Sequence, residues 1–360
     1  MHDQISSRQK YKAKDDDGFG DIKTSYKHPV TRGRHNIIRE QCSTYAIVLW
    51  ISILMIIFGE YLLFHYTIAV CSWPELTNRD KEENINVILI GDPQLTDQHS
   101  YWFMKIPVIG QIVEYHSDIY MRKNFQLLLH YHNPSHVVFM GDLFDSGRSI
   151  DDLDFQLEFE RFEWIFKSSK KVKKFYLSGN HDLGYDIDID HQLGLSKRFI
   201  QYFNKLNFRE IVDGIEFVFI SATTIEPNTA HPDLIYETKS FIENYSRPSE
   251  FTNIPKVLFH HVPLWRPPGT DCGKLRTRNK AITDRVGHSY RNMLSNETSS
   301  MILSNIKPFL TFSGDDHDQC KVRHSNLTTE VYSPFFFQKK GKLTFSVSAV
   351  HGWHFQLAAR

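Results

Sequence analysis

The alternation of apolar and polar positions divides the chain into a polar tail, one long apolar run and a region of short interleaved elements. Residues 1–41 are polar, with Lys10, Lys12 and Lys14 followed by Asp15-Asp16-Asp17, and they read as a disordered tail. From Tyr45 to Phe64 the only charged residue is Glu60. At the helical rise that run reaches about 30 Å, enough to cross the hydrocarbon layer. A carboxylate deep in lipid is costly, but Glu60 lies toward the far end, where its side chain reaches the interface. Residues 42–70 are therefore predicted to be a transmembrane signal anchor, 71–85 a linker, and 86–360 one folded domain.

The charges flanking the anchor set its direction. Arg32, Arg34 and Arg39 precede it, whereas Glu75, Asp80, Glu82 and Glu83 share the far side with Arg79 and Lys81. The positive-inside rule then puts the tail in the cytoplasm and everything after about Ser72 in a lumen. Ala69-Val70-Cys71 resembles a cleavage site. The basic region is long for a signal peptide, however, and the apolar run exceeds a normal h-region, which favours an uncleaved type II anchor. Sequons at Asn244, Asn296 and Asn326 agree with a lumenal face.

Beyond Asn86 the periodicity switches between strand and helix. Asp118 to His132 is apolar at helical spacing and is stopped by Pro134. Asp151 to Lys170 is acidic at its start and basic at its end, as the helix dipole favours. Glu210 to Ser221 reads as two strands turning at Asp213-Gly214. Tyr236–Tyr245 and Ser300–Ile306 are further helices, and Lys342 to Leu357 alternates like strands. Interleaving of this kind predicts an α/β fold, a layered α/β/β/α sandwich.

Five of the apolar runs end in side chains suited to a metal. Val137-Val138-Phe139-Met140 leads to Gly141-Asp142-Leu143-Phe144-Asp145, and Val87-Ile88-Leu89-Ile90 to Gly91-Asp92-Pro93-Gln94. Phe175-Tyr176-Leu177 leads to Ser178-Gly179-Asn180-His181-Asp182, and Val257-Leu258-Phe259 to His260-His261-Val262-Pro263. Phe309-Leu310-Thr311-Phe312 leads to Ser313-Gly314-Asp315-Asp316-His317. Open α/β sheets bind ligands at the carboxyl ends of their strands, so a shared metal site is the simplest account of five such ends.

The ordered set resembles the calcineurin-like metallophosphoesterases, whose motifs run D-x-H, GDxxD, GNH(D/E), H-x-P and GHxH. GDLFD and GNHD match outright. The first and last motifs read D-P-Q and G-D-D-H, and with His-Val-Pro-Leu-Trp-Arg and Tyr120-Met121-Arg122 they look like the membrane-bound phosphodiesterases that remodel GPI anchors. The resemblance implies a four-layer sandwich holding two divalent ions about 3.5–4 Å apart. It assigns Asp142 as the bridging ligand, Asp92 and His317 to one ion, and Asn180 and His261 to the other. Gln94 and Asp315 stand where most relatives carry histidine. With both coordinating, the ligand set is rich in oxygen and suits Mn²⁺ or Mg²⁺ better than Zn²⁺; Mn²⁺ is the expectation.

The chemistry implied is phosphodiester hydrolysis. The ions lower the pKa of a shared water and neutralise the phosphate. His181 is the expected acid for the leaving sugar oxygen, with Asp182 as its orienter. Asp145 either fixes a ligand or His181, or caps a helix; Arg148 and Arg266 either meet phosphate or are ordinary charges. His260 is expected in the core or behind a metal ligand. The expected substrate is a GPI glycolipid or GPI-anchored protein losing an ethanolamine phosphate from a mannose, in the endoplasmic reticulum membrane or early secretory pathway, during remodelling and transport. The alternatives are a phosphomonoesterase, or a weakly catalytic lumenal scaffold.

Composition adds two points. Lys plus Arg and Asp plus Glu both number 42, so nothing in the charge favours a nucleic-acid partner. Four cysteines are too few for a disulfide scaffold. In a lumenal domain Cys272 and Cys320 either bridge two site loops or remain two free thiols.

Overall fold

The computed structural model describes residues 31–70 and 85–359, apart from gaps at 170, 186, 228–229, 247–253, 275, 277–285, 288–289, 326–327, 333–342 and 349–353. It divides into two units, Met1–Leu62 and Leu63–Arg360. The first contains α1 (Thr31–Ile57), extended by a π turn at Phe58–Leu62. Helical backbone thus begins at Thr31, inside the stretch expected to be disordered. Arg, Gln and Glu propagate a helix well once the apolar run downstream has nucleated it. Residues 1–30, the rest of the predicted tail, and the linker lie outside the described residues apart from Ile85. Ser43–Ala69 is one helical run long and apolar enough to cross a membrane. Its last part, α2 (Leu63–Ala69), belongs to the second unit.

The second unit is built on two sheets. Strands β1 (Ile85–Ile90), β2 (His136–Phe139) and β3 (Lys173–Tyr176) are parallel to one another. A second group contains β4 (Phe208–Val212), β5 (Ile215–Phe219) and β6 (Lys256–Phe259). A short ribbon, β7 (Val286–Gly287) with β8 (Tyr290–Arg291), stands apart. Three strands, β9 (Leu310–Ser313), β10 (Lys321–Arg323) and β11 (Thr329–Tyr332), join the second group, giving the order β10-β11-β9-β6-β5-β4. β12 (Leu343–Ser348) and β13 (His354–Ala359) return to the first sheet as antiparallel strands with β13 at the edge, order β13-β12-β1-β2-β3. The predicted hairpin is β4–β5, and Asp213 and Gly214 both take positive φ there, as its tight turn requires.

Alternation along the strands explains the layering. Val87, Leu89, Val138, Met140 and Phe175 face Phe217, Phe219, Val257, Phe259, Leu310 and Phe312 in one buried cluster between the sheets. The intervening Ile88, Ile90, Val137 and Phe139 face outward. They pack under α3 (Pro107–His132), α4 (Asp152–Ile165) and, beyond the four-residue α5 (Asn180–Leu183), α6 (Ile189–Phe203). On the other side Val218, Ile220 and Leu258 pack under α7 (Pro232–Glu243) and α8 (Asn296–Ile306). The result is the expected helix–sheet–sheet–helix sandwich.

Four helices depart from their predicted limits, α7 and α8 by starting four residues early, at Pro232 and Asn296. α4 stops at Ile165, and α3 begins at Pro107, well before Asp118. Pro107 occupies the first helical turn, where a missing N–H is harmless. The early turns of α3 escape the amphipathic pattern because their apolar side chains point outward.

Candidate metal centre

Strands β1, β2 and β3 of one sheet and β6 and β9 of the other each deliver their motif at the carboxyl end, and backbone strain marks the ends of β1, β2 and β9. Nine non-glycine residues among those described have positive φ, and five of them are predicted ligands: Asp92, Gln94, Asp142, Asp315 and His317. Such residues leave the strand direction abruptly, a conformation that must be held by its surroundings. Gly141 (φ 100°) and Gly179 make the close approach possible. A Cβ on Gly141 would lie 2.5 Å from His261 Nδ1, and one on Gly179 would lie 2.1 Å from Asp142 Oδ1.

Asp92, Asp142 and His261 are fully buried, and one ligand atom of each lies within 4.8 Å of the others. His261 Nδ1 donates to the Met140 carbonyl at 2.8 Å, which leaves the Nε2 lone pair facing inward. From Nε2 the distances are 3.3 Å to Asn180 Oδ1, 3.3 Å to Asp142 Oδ1 and 3.8 Å to Asp315 Oδ1. Asp315 N–H donates to Asp92 Oδ1 at 3.1 Å. Oδ2 of Asp92 and Oδ2 of Asp315 are buried without a hydrogen-bond partner. Buried carboxylate oxygens left bare are costly unless a cation meets them, so this donor set fits a divalent ion.

The electrostatics agree. Burial pushes Asp92 well above the usual carboxylate range, opposed by His261 and helped by Asp142 and Asp315. Burial likewise raises Asp315 to about 7. Burial would also raise Asp142, yet His261 and His181 outweigh it and hold that carboxyl below its ordinary value. Burial opposes a charged His261, but Asp142, Asp92 and Asp315 together push its pKa well up. The cluster thus gathers more negative charge than one imidazolium balances.

Not every predicted residue takes its expected place. Gln94 approaches through its amide nitrogen, donating to Asp142 Oδ2 at 3.0 Å, and so orients that carboxylate instead of offering its oxygen. His317 follows Asp315 on the same loop, half-buried, outside the group of atoms within 4.8 Å. Asp182 does not orient His181. Its oxygens accept from the amides of Gly179 at 2.8 Å and Leu143 at 3.0 Å, tying the second and third motif loops together. His181 is held instead by Asp145, whose carbonyl accepts from Nδ1 at 2.5 Å. The His181 amide donates to Asp142 Oδ1 at 2.8 Å, so its side chain, 25% exposed, stands beside the buried carboxylates at the solvent boundary.

Around this centre, His260 is buried between the Val262 carbonyl and Thr311 Oγ1, as expected of a core residue. Arg148 donates to the Asn180 carbonyl at 3.1 Å, and Arg266 is buried over the Tyr332 ring. Cys272 and Cys320 form a disulfide, which with the Arg276–Asp316 ion pair ties the loop after β6 to the loop after β9. Sequence reading missed a cavity of about 480 Å³ nearby, walled by Asp97, Met104, Gly110, Glu114, Glu158 and Arg161 among others. Asp97 links it to the site by accepting from Ser146 Oγ at 2.9 Å, next to Asp145. The signal available was the i,i+3 pair Glu158–Arg161 on α4, which alone is an ordinary helix pair.

A helix–sheet–sheet–helix sandwich with buried carboxylates, an amide and an imidazole at its strand ends defines a metallophosphoesterase. Residues 85–318 match the calcineurin-like phosphoesterase family, and the chain belongs to it. It is 33% identical over 286 residues to Cell division control protein 1 of Saccharomyces cerevisiae, covering 77% of this chain and 56% of that protein. Identity to Metallophosphoesterase 1 of Danio rerio is 24% over 340 residues, covering 89% and 86%. With the Caenorhabditis elegans Metallophosphoesterase 1 homolog it is 24% over 286 residues, covering 78% and 73%. The chain therefore spans little more than half the length of the yeast protein it matches.

Proposed function

We propose that the chain is a membrane-anchored, Mn²⁺-dependent phosphodiesterase that removes ethanolamine phosphate from a mannose of GPI anchors in the lumen of the endoplasmic reticulum or early secretory pathway. The observation that carries the hydrolytic reading is the juxtaposition of buried, cation-demanding carboxylates with a partly exposed His181. Asp92, Asp142, Asn180, His261 and Asp315 would hold the ions, with His317 entering from its loop. Bound divalent ions supply an activated water and charge neutralisation at phosphorus.

The chain's own residues do the rest. Water attacks phosphorus, the bond from phosphorus to the mannose oxygen breaks, and ethanolamine phosphate leaves the sugar. His181, its Nδ1 committed to Asp145, presents Nε2 to protonate the departing sugar oxygen. The GPI substrate is supported by the D-P-Q and G-D-D-H departures, which resemble the GPI-remodelling branch; the relatives named Metallophosphoesterase 1 support the hydrolase class alone. Lumenal residence is supported by the charge asymmetry around the apolar helix and by the Cys272–Cys320 bridge, since disulfides persist in oxidising compartments.

Two measurements test this. Full-length protein should hydrolyse a generic phosphodiester with Mn²⁺, and Asp142→Asn should abolish that turnover; equal rates for both would end the hydrolytic reading. Cells lacking the protein should accumulate a GPI precursor with one surplus ethanolamine phosphate. An unchanged GPI glycan profile would end the GPI reading and leave the hydrolase standing.

A further inference from the structure

The segment leading into α3 presents an unusual outer surface. Trp102 is 80% exposed and Val108 67%, and Tyr101, Ile106, Ile109, Ile112 and Tyr115 are exposed with them. On α3, positions 108, 112 and 115 recur at i, i+4 and i+7, with 109 beside them, so these side chains share one helical face. No charged residue occurs from Ile106 to Val113. The inner side of the same segment is tightly built: a Cβ on Gly110 would lie 2.2 Å from the Met104 carbonyl oxygen, and Met121 and Phe125 are fully buried. The outward apolar face is therefore presented by a rigid element. A contiguous apolar patch of this kind marks a surface that something covers.

What covers it follows from the neighbouring helix. α2 is the last stretch of the apolar run Ser43–Ala69 and packs on α3. Phe64 meets the Tyr120 ring edge-on at 5.4 Å, the Lys123 ammonium lies 4.2 Å from the Phe64 ring centre, and His65 Nδ1 bonds the Tyr131 hydroxyl at 2.9 Å. The helix carrying the exposed face is thus fastened to the end of the run that is long enough to span a bilayer. Trp and Tyr beside Ile and Val is also the composition that the lipid–water boundary selects. We propose that residues 101–115 are a membrane-seated shelf, with Trp102, Val108, Ile109, Ile112 and Tyr115 lodged in the leaflet from which α2 emerges. The inference stands whether or not the substrate is a GPI lipid. Its consequence is that the cavity walled by Met104, Gly110 and Glu114 opens beside the membrane.

The test uses full-length protein in phosphatidylcholine nanodiscs, with Cys42 and Cys71 replaced by serine. Spin labels are placed singly through Trp102→Cys, Val108→Cys and Ile112→Cys, with Tyr236→Cys on α7, 75% exposed, as the aqueous reference. Collision rates with oxygen and with a water-soluble nickel chelate are compared. The expected result is at least a fivefold shift of the oxygen-to-nickel ratio toward oxygen at the three shelf positions relative to position 236. Shelf labels as open to nickel as the reference would overturn the proposal. So would labels shielded from both reagents, which would mean that a protein surface or a second copy covers the face. All four substitutions are at exposed positions, and matching melting curves identify any variant that has not folded.

Discussion

His181 is fixed by Asp145 through two contacts, the Asp145 carbonyl at 2.5 Å from Nδ1 and a carboxylate oxygen at 3.4 Å. The backbone contact fixes the orientation of the ring and turns Nε2 toward the side from which a leaving group could take a proton.

From this pair comes a leaving-group test. His181→Ala should lower kcat by about 10²–10⁴-fold on a phosphodiester with an alkyl leaving group. The loss should be much smaller on a nitrophenyl ester, whose leaving group needs no proton. Asp145→Asn keeps the backbone carbonyl that holds Nδ1 and should cost less than His181→Ala. Equal losses on both esters would show that His181 does not donate the proton.

Asp182 calls for a different experiment, because it braces loops. Its carboxyl is raised to about 7, by burial first and by Asp142 second, while it accepts the Gly179 and Leu143 amides. Asp182→Asn turns one accepting oxygen into a donor facing an amide. The expected cost is about 1–3 kcal/mol of stability, seen as a lower Tm, together with weaker Mn²⁺ binding. An unchanged Tm would show that the two loops do not depend on this clamp.

These two residues also show where sequence reading runs out. The strands, the sandwich and the convergence of Asp92, Asp142, Asn180, His261 and Asp315 were legible because apolar runs and the residues ending them are local facts, and parallel strands bring like ends together. For Asp145 the sequence left open a ligand, His181 or a helix cap, and the fold selects His181; the role of Asp182 was not legible. Each turns on which atom a side chain reaches across the fold, and one contact is made by a backbone carbonyl that residue type cannot reveal. Gln94 lies beside Asp142 with its amide nitrogen toward the carboxylate, and residue type could not say which end of an amide faces the site, since it offers either a donor or an acceptor. The start of α3 was hidden for another reason, its apolar side chains facing away from the core.

Asp315 makes metal binding depend on pH. Its carboxyl is held at about 7 by burial, against an ordinary 3.8. The folded chain therefore binds that proton more tightly than the unfolded chain. Below the ordinary value both states are protonated; as pH climbs from there to about 7, this group subtracts stability from the metal-free protein. A divalent ion displaces the proton, so its affinity should rise over the same interval. The Tm gap between Mn²⁺-loaded and chelator-treated protein should widen from about pH 5 to pH 7, and Asp315→Asn should flatten the trend. A gap independent of pH would remove Asp315 from the ion's surroundings.

The Cys272–Cys320 bridge closes a loop of sequence separation 48 between the segments after β6 and β9. In the chain-entropy account a loop of that size stabilises by roughly 4 kcal/mol at most, and less where the reduced chain keeps structure. Both cysteines are buried, and the Arg276–Asp316 ion pair joins the same two loops, so part of the clamp survives reduction. Cys320→Ser should lower the Tm and also weaken Mn²⁺ binding, because Asp315 and His317 sit on the loop set free. Adding Asp316→Asn should lower metal affinity by more than either change alone multiplied together, as two restraints on one loop are not independent. Metal titrations of the four proteins, followed by thermal shift, decide the matter; strictly multiplicative losses would mean that bridge and ion pair act on separate parts of the site.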